Sequence, residues 1–144
     1  MFRLLIYLAL MGLPITTLAH PFHIITLNED FATLRDNQAK MLFRGRLAHI
    51  DGLPTLLLDL PQSSKYREDF YRSLLKKSPS QMNAIWARQS FSGKASAPDE
   101  LLKEDAQLIK TWLKQHPNGI AYVPDSLLPQ GVRVLYTLNS SGSL

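Results

Sequence analysis

The chain has 144 residues, 16 Lys and Arg against 12 Asp and Glu, a formal net charge of +4 and no cysteine. The absence of thiols excludes a disulfide-stapled scaffold, a cysteine nucleophile and a thiolate metal site. The basic excess is small and is not gathered into a Lys/Arg block with interleaved aromatics, so it is not the footprint of a nucleic-acid binder.

In chain order, MFRLLIYLALMGLPITTLA (residues 1–19) comes first, with one positive charge at Arg3, an apolar run and small residues Thr17 and Ala19 before a plausible cut. This reads as a secretory signal peptide cleaved after Ala19, too short with its flanks for a membrane anchor. Losing Arg3 would leave 15 basic residues against 12 acids, a charge of about +3. An exported domain without disulfides must rest on its core alone, and a chain of this length can build one. The expectation is a periplasmic protein with a single domain over residues 20–138 and a frayed tail, NSSGSL, over 139–144.

FHIITL (22–27) is apolar and β-branched and predicts a strand. In TLRDNQAKMLF (33–43), Thr33 with Asp36 resembles a capping box opening a helix that runs to Phe43, with Gly45 suited to its C-terminal turn. DGLP (51–54) is a turn. TLLLDL (55–60) is apolar on both faces, as a central parallel strand would be. Tyr66, Phe70 and Leu74, flanked by Tyr71 and Leu75, form a helical stripe. SPSQMNAIWARQSF (78–91) predicts a helix capped by Ser78 with Pro79 in its first turn and Met82, Ile85 and Trp86 on one face. SGKASAP (92–98) is a loop. Residues 99–116 predict the longest helix, on Leu102, Ala106, Ile109 and Leu113. PNG (117–119) ends it, with Gly119 expected in a backbone geometry that favours glycine. IAYV (120–123) and VRVLYT (132–137) predict the last strands, and Phe70, Trp86, Phe91 and Trp112 are expected in the core. Strands alternating with helices give an α/β class: a single three-layer lobe with a mostly parallel sheet flanked by helices.

PQSSKYREDFY (61–71) is the segment with chemistry in it. Free N–H groups at a helix start, the positive end of its dipole and the hydroxyls of Ser63 and Ser64 suit an oxyanion, with Lys65 or Arg67 supplying charge. The same residues also describe an ordinary capped helix whose Arg67 pairs with an acid, Asp69 or one beyond the helix. Both readings stay open. No catalytic constellation stands out. There is no GxSxG, HExxH or phosphate loop, and Glu68-Asp69, Asp99-Glu100 and Glu104-Asp105 are neighbours that diverge on a helix surface. The expectation is a non-enzyme without cofactor. His20 as a new N-terminus, with His23 or His49, is the only copper-type set, and a solvated terminus accounts for it as well, so no metal site is assigned.

Four motifs in a fixed order carry a family resemblance: Leu42-Phe43-Arg44-Gly45-Arg46, Arg67 with Phe70, Trp86 with Phe91 and Gly93, and Pro117 to Val123. Together they resemble the phosphate ABC-transporter substrate-binding-like proteins of the periplasmic binding protein type II class, in a short, single-lobe form. The likeness runs from about Phe22 to Leu135. It implies half of a two-lobed binder, with a ligand at the helix start near Ser63, Ser64, Lys65 and Arg67. Full-length phosphate binders carry Arg-x-x-x-Ser-Gly-Thr there. Here those places hold Leu60, Ser64, Lys65 and Tyr66, so only the serine survives and the phosphate-gripping arginine is missing.

Two functions follow. One is a periplasmic solute-binding-like module, oxyanion-binding and associated with ABC-type uptake. The other is a one-lobed interaction domain that kept the fold and lost the ligand. The partners implied are a small oxyanion, a membrane transporter or another periplasmic protein, and no nucleic acid. Ser64 favours the first reading, and Leu60 and the missing lobe favour the second.

Overall fold

The structure is a computed structural model and describes residues 20–139. The expected signal peptide (1–19) and residues 140–144 of the expected tail lie outside the described residues. None of the described helices is long and apolar enough to cross a membrane.

Five strands make the main sheet: β1 (Phe22–Thr26), β4 (Leu56–Asp59), β5 (Asp99–Glu100), β6 (Gly119–Pro124) and β7 (Arg133–Leu138), in the order β5-β4-β6-β1-β7. β4 runs parallel to β5 and β6, while β1 is antiparallel to both β6 and β7. Four strands therefore point one way and β1 alone opposes them. Central strands need apolar side chains on both faces, and β6 is buried at all six positions. A hairpin of β2 (His49–Ile50) and β3 (Leu53–Pro54) turns through Asp51 and Gly52, both at positive φ, as a two-residue Asp-Gly turn requires.

Helices α1 (Asp36–Phe43), α2 (Lys65–Leu75), α3 (Pro79–Phe91) and α4 (Ala106–Gln115) flank the sheet. Phe70 of α2 stacks on Tyr122 of β6 at 3.8 Å, and edge-to-face contacts join Phe22, Phe43 and Tyr71 to that pair. Gly119 points to the other face of β6, against α4. A Cβ there would lie 2.7 Å from the Trp112 ring and 2.8 Å from the His116 carbonyl. Glycine is thus required at 119 by close approach, and not by the helix-ending backbone geometry expected from the sequence.

Other expectations shift with the structure. The first helix starts at Asp36 behind Arg35, and the reciprocal capping partner is Gln38, whose side chain accepts from the Arg35 N–H. Thr33 lies outside it. The predicted long helix is shorter at its start: Asp99 and Glu100 add an edge strand to β4, and Asp105 caps α4 by accepting from the N–H groups of Gln107 and Leu108. Leu102, assigned to the helical stripe, is exposed outside the helix. Phe91, expected in the core, ends α3 with its side chain 98 % exposed, whereas Phe70 and Trp86 are buried as expected.

Candidate functional site

β4 ends in Asp59, an acid delivered into the core by an otherwise apolar strand. A carboxylate buried at 3 % exposure must find partners or stay neutral. It does some of each. Tyr122 and Tyr71 donate their hydroxyls to its two oxygens, Tyr71 at 3.0 Å, and Arg67 lies 3.4 Å away. Burial outweighs these contacts and lifts the Asp59 carboxyl to about 6. Burial, then the Asp59 charge, pushes both tyrosine hydroxyls well above the usual phenol range.

The turn from β4 into α2 is built around Arg67. Ser64 is the N-cap, and its Oγ accepts from the Arg67 N–H at 3.1 Å. One turn of helix separates Arg67 from Tyr71, so both side chains reach back to Asp59. The guanidinium Nη1 donates to the Leu60 carbonyl at 2.8 Å and to Glu100 at 3.2 Å, and Nη2 is 3.4 Å from the Asn83 side-chain oxygen. Parallel pairing of β4 with β5 sets Glu100 opposite Asp59. Gln62 closes the ring, donating to Glu100 at 3.2 Å and accepting from Asn83 at 3.4 Å. Burial draws the Arg67 pKa down, but the charge of Asp59 and the bond to Glu100 hold it above its ordinary value.

A cleft of about 200 Å³ opens over this cluster between α2, α3 and β5, lined by Asp59, Gln62, Arg67, Asn83, Trp86 and Glu100 among others. The buried Nε1 of Trp86 faces the Tyr71 hydroxyl without reaching hydrogen-bonding geometry. With both acids ionised, two carboxylates face one guanidinium. The cleft is then net negative, and an anion entering it must displace Glu100 from Arg67.

The four residues singled out in the sequence do not converge. Ser64 and Arg67 are buried, joined through the cap, and spent on protein partners. Ser63 is exposed, and Lys65 pairs with Asp69 on the outer face of α2. Of the expected partners for Arg67, the one beyond the helix is realised. Asp59, Tyr71, Tyr122, Asn83 and Glu100 escaped the sequence reading. The acid inside TLLLDL was a usable signal, since a charge in a buried strand demands a partner. Glu100 carried none, because it read as helix surface. His23, a candidate metal ligand, bonds Asp125 at 2.8 Å and Thr137 at 3.1 Å, and no group of three metal-ligating side chains stands together among the described residues.

No family model and no curated protein matches the chain. Solved structures do. An ABC-type phosphate transport receptor from Vibrio cholerae superposes with a TM-score of 0.57 at 11 % identity, over 81 % of this chain and 46 % of the receptor. A protein from Clostridium perfringens, assigned as a phosphate ABC transporter substrate-binding protein and solved with phosphate bound, gives 0.56 at 16 % identity, over 81 % and 45 %. Over the matched span the chain shares its α/β fold, a mostly parallel sheet flanked by helices, with part of each of these structures. The chain spans about half the length of the receptors it matches.

Proposed function

We propose that this chain is an exported module of the substrate-binding-protein fold that acts by docking to a periplasmic or membrane-transporter partner, with the β4–α2 turn serving as a structural joint and not as a phosphate grip. One observation carries the reading: the Arg67 guanidinium is already occupied by Leu60, Glu100, Asn83 and Asp59. Each replaces a contact that a bound oxyanion would make. The excess of carboxylate over guanidinium at the same spot opposes anion entry, and Leu60 stands where the resemblance puts the gripping arginine.

The competing reading keeps a phosphate-like oxyanion at Ser63, Ser64, Lys65 and Arg67, delivered for ABC-type uptake. Its support is the helix start itself, with Ser63 and Lys65 exposed beside it. Phosphate titrated into ¹⁵N-labelled protein separates the two by location. The docking reading expects the amides of Ser63, Ser64, Lys65 and Arg67 to stay unmoved. Saturable shifts there would overturn it and restore the oxyanion site. Export is tested independently: N-terminal sequencing of the protein recovered from the periplasm should begin at His20, and a start at Met1 would contradict the localisation.

A further inference from the structure

A second cleft lies away from Asp59 and Arg67, where α1 turns into the β2–β3 hairpin against α3. Two hollows share Arg46 and Gln89 as walls. One, of about 340 Å³, is lined by Arg44, Arg46, Lys77, Ile85, Arg88 and Gln89. The other, of about 540 Å³, is lined by Gly45, Arg46, Gln89 and Lys94. Five basic side chains border them and no carboxylate does. Every ion pair found among the described residues involves other cations. The Nε of Arg44 is buried with no acceptor.

The sequence builds this arrangement through Gly45. Its φ of 72° is one that glycine adopts without strain, and a Cβ would sit 2.9 Å from both the Trp86 ring and Gln89. The backbone therefore lies flat on α3, with Arg44 and Arg46 on either side of the contact. Arg88 comes from α3 itself, and Lys77 from the chain just after α2 ends at the left-handed Lys76. Like charges held in one hollow repel, and a buried guanidinium N–H without an acceptor is unfavourable. A ligand that supplies several negative oxygens relieves both.

We propose that this cleft binds phosphate groups presented several at once, either on neighbouring phosphorus centres of one soluble polyphosphate anion or on adjacent headgroups of an anionic lipid surface. Arginine's planar fork matches phosphate oxygens two at a time, and three arginines border one hollow. A monovalent anion would leave most of the charge unmet. The site is independent of the docking function proposed above and shares no charged residue with the β4–α2 turn.

The test uses the chain with Arg46→Gln and Arg88→Gln together, both exposed positions, and a control with Lys103→Gln and Lys114→Gln, which loses the same charge elsewhere. Circular dichroism first confirms that all three chains are folded. Inorganic tripolyphosphate is titrated calorimetrically at low salt, and sedimentation is run with phosphatidylglycerol and with phosphatidylcholine vesicles; any N-terminal apolar segment is common to the three chains. The expected result is saturable binding that falls at least tenfold in the Arg46/Arg88 chain and less than twofold in the control. Binding of tripolyphosphate alone identifies a soluble phosphate ligand, and binding of phosphatidylglycerol vesicles alone identifies a headgroup; each supports the site. Equal losses in both variants would mean that only net charge matters, and no saturable binding in either arm would mean that there is no site. Either outcome overturns the proposal.

Discussion

At the end of β4 one guanidinium meets two carboxylates and two side-chain or backbone carbonyls, while beside Gly45 five basic side chains meet no acid at all. Trp86 links the two places. It lines the Arg67 cleft and forms the surface onto which Gly45 presses. The contrast separates charge used to hold the fold from charge left open to a ligand. Buried and paired, Arg67 is a structural element whose loss should be felt without any ligand present. Exposed and unpaired, Arg46 and Arg88 should matter little to stability and much to anion binding. A signature arginine at a helix start is thus no guide to function until its partners are known.

The largest break in that contrast comes from Arg67→Ala. Asp59 would remain buried without its cation, and Glu100 would lose a hydrogen-bonded partner. Removing one member of a buried pair costs about 3–5 kcal/mol. Urea unfolding of the ligand-free protein at pH 7 measures it. A loss below 1 kcal/mol would mean that the cluster is not structural, and would return Arg67 to the pool of ligand-binding residues.

Asp59→Asn sharpens the point through pH. An aspartate with an ordinary value of 3.8 that is raised to about 6 in the folded protein binds a proton more tightly when folded than when unfolded. Its contribution therefore favours the fold at low pH and is lost as pH rises through about 6, a swing of about 3 kcal/mol from the size of that shift. The asparagine chain lacks this titration. The wild type should lose about 2.4 kcal/mol of that swing relative to Asp59→Asn between pH 4 and pH 7, read from paired denaturant curves. Parallel pH profiles for the two chains would show that Asp59 does not titrate as its burial implies.

Much of the scaffold is legible in the sequence because its signals are local and repeated. The strand FHIITL, the Ser78-Pro79 helix start, the turn at Asp51-Gly52 and the stripe around Phe70 each announce themselves within a few residues. What fails is non-local. Asp99 and Glu100 are two residues long as a strand, and only the neighbouring edge of β4 makes them one. Without that pairing they extend a helical pattern, which places the start of α4 too early in the sequence reading and makes Glu100 look like surface charge. Phe91 sits at the end of an otherwise well-read helix, where the core face runs out. The resemblance to phosphate-transport binders gave a fold that solved structures share, yet the candidate site turned on where one guanidinium goes, and that depended on Leu60, Asn83 and Glu100 from three separate segments.

The smallest effect isolates the cap from the charge. Ser64 accepts from the Arg67 N–H and is buried, and its loss removes one acceptor at the start of α2 without touching the guanidinium network. Ser64→Ala should cost ~1 kcal/mol. Because Arg67 also anchors that turn through Leu60, the helix start should stay in place, so the double variant Ser64→Ala, Arg67→Ala should lose more than the sum of the single changes. Residues that share a partner couple in this way, by about 0.5–3 kcal/mol. A thermodynamic cycle measured by urea unfolding gives the coupling directly. Strict additivity would show that cap and guanidinium network act independently, the Ser64 bond to the Arg67 N–H then being a purely local contribution to the start of α2.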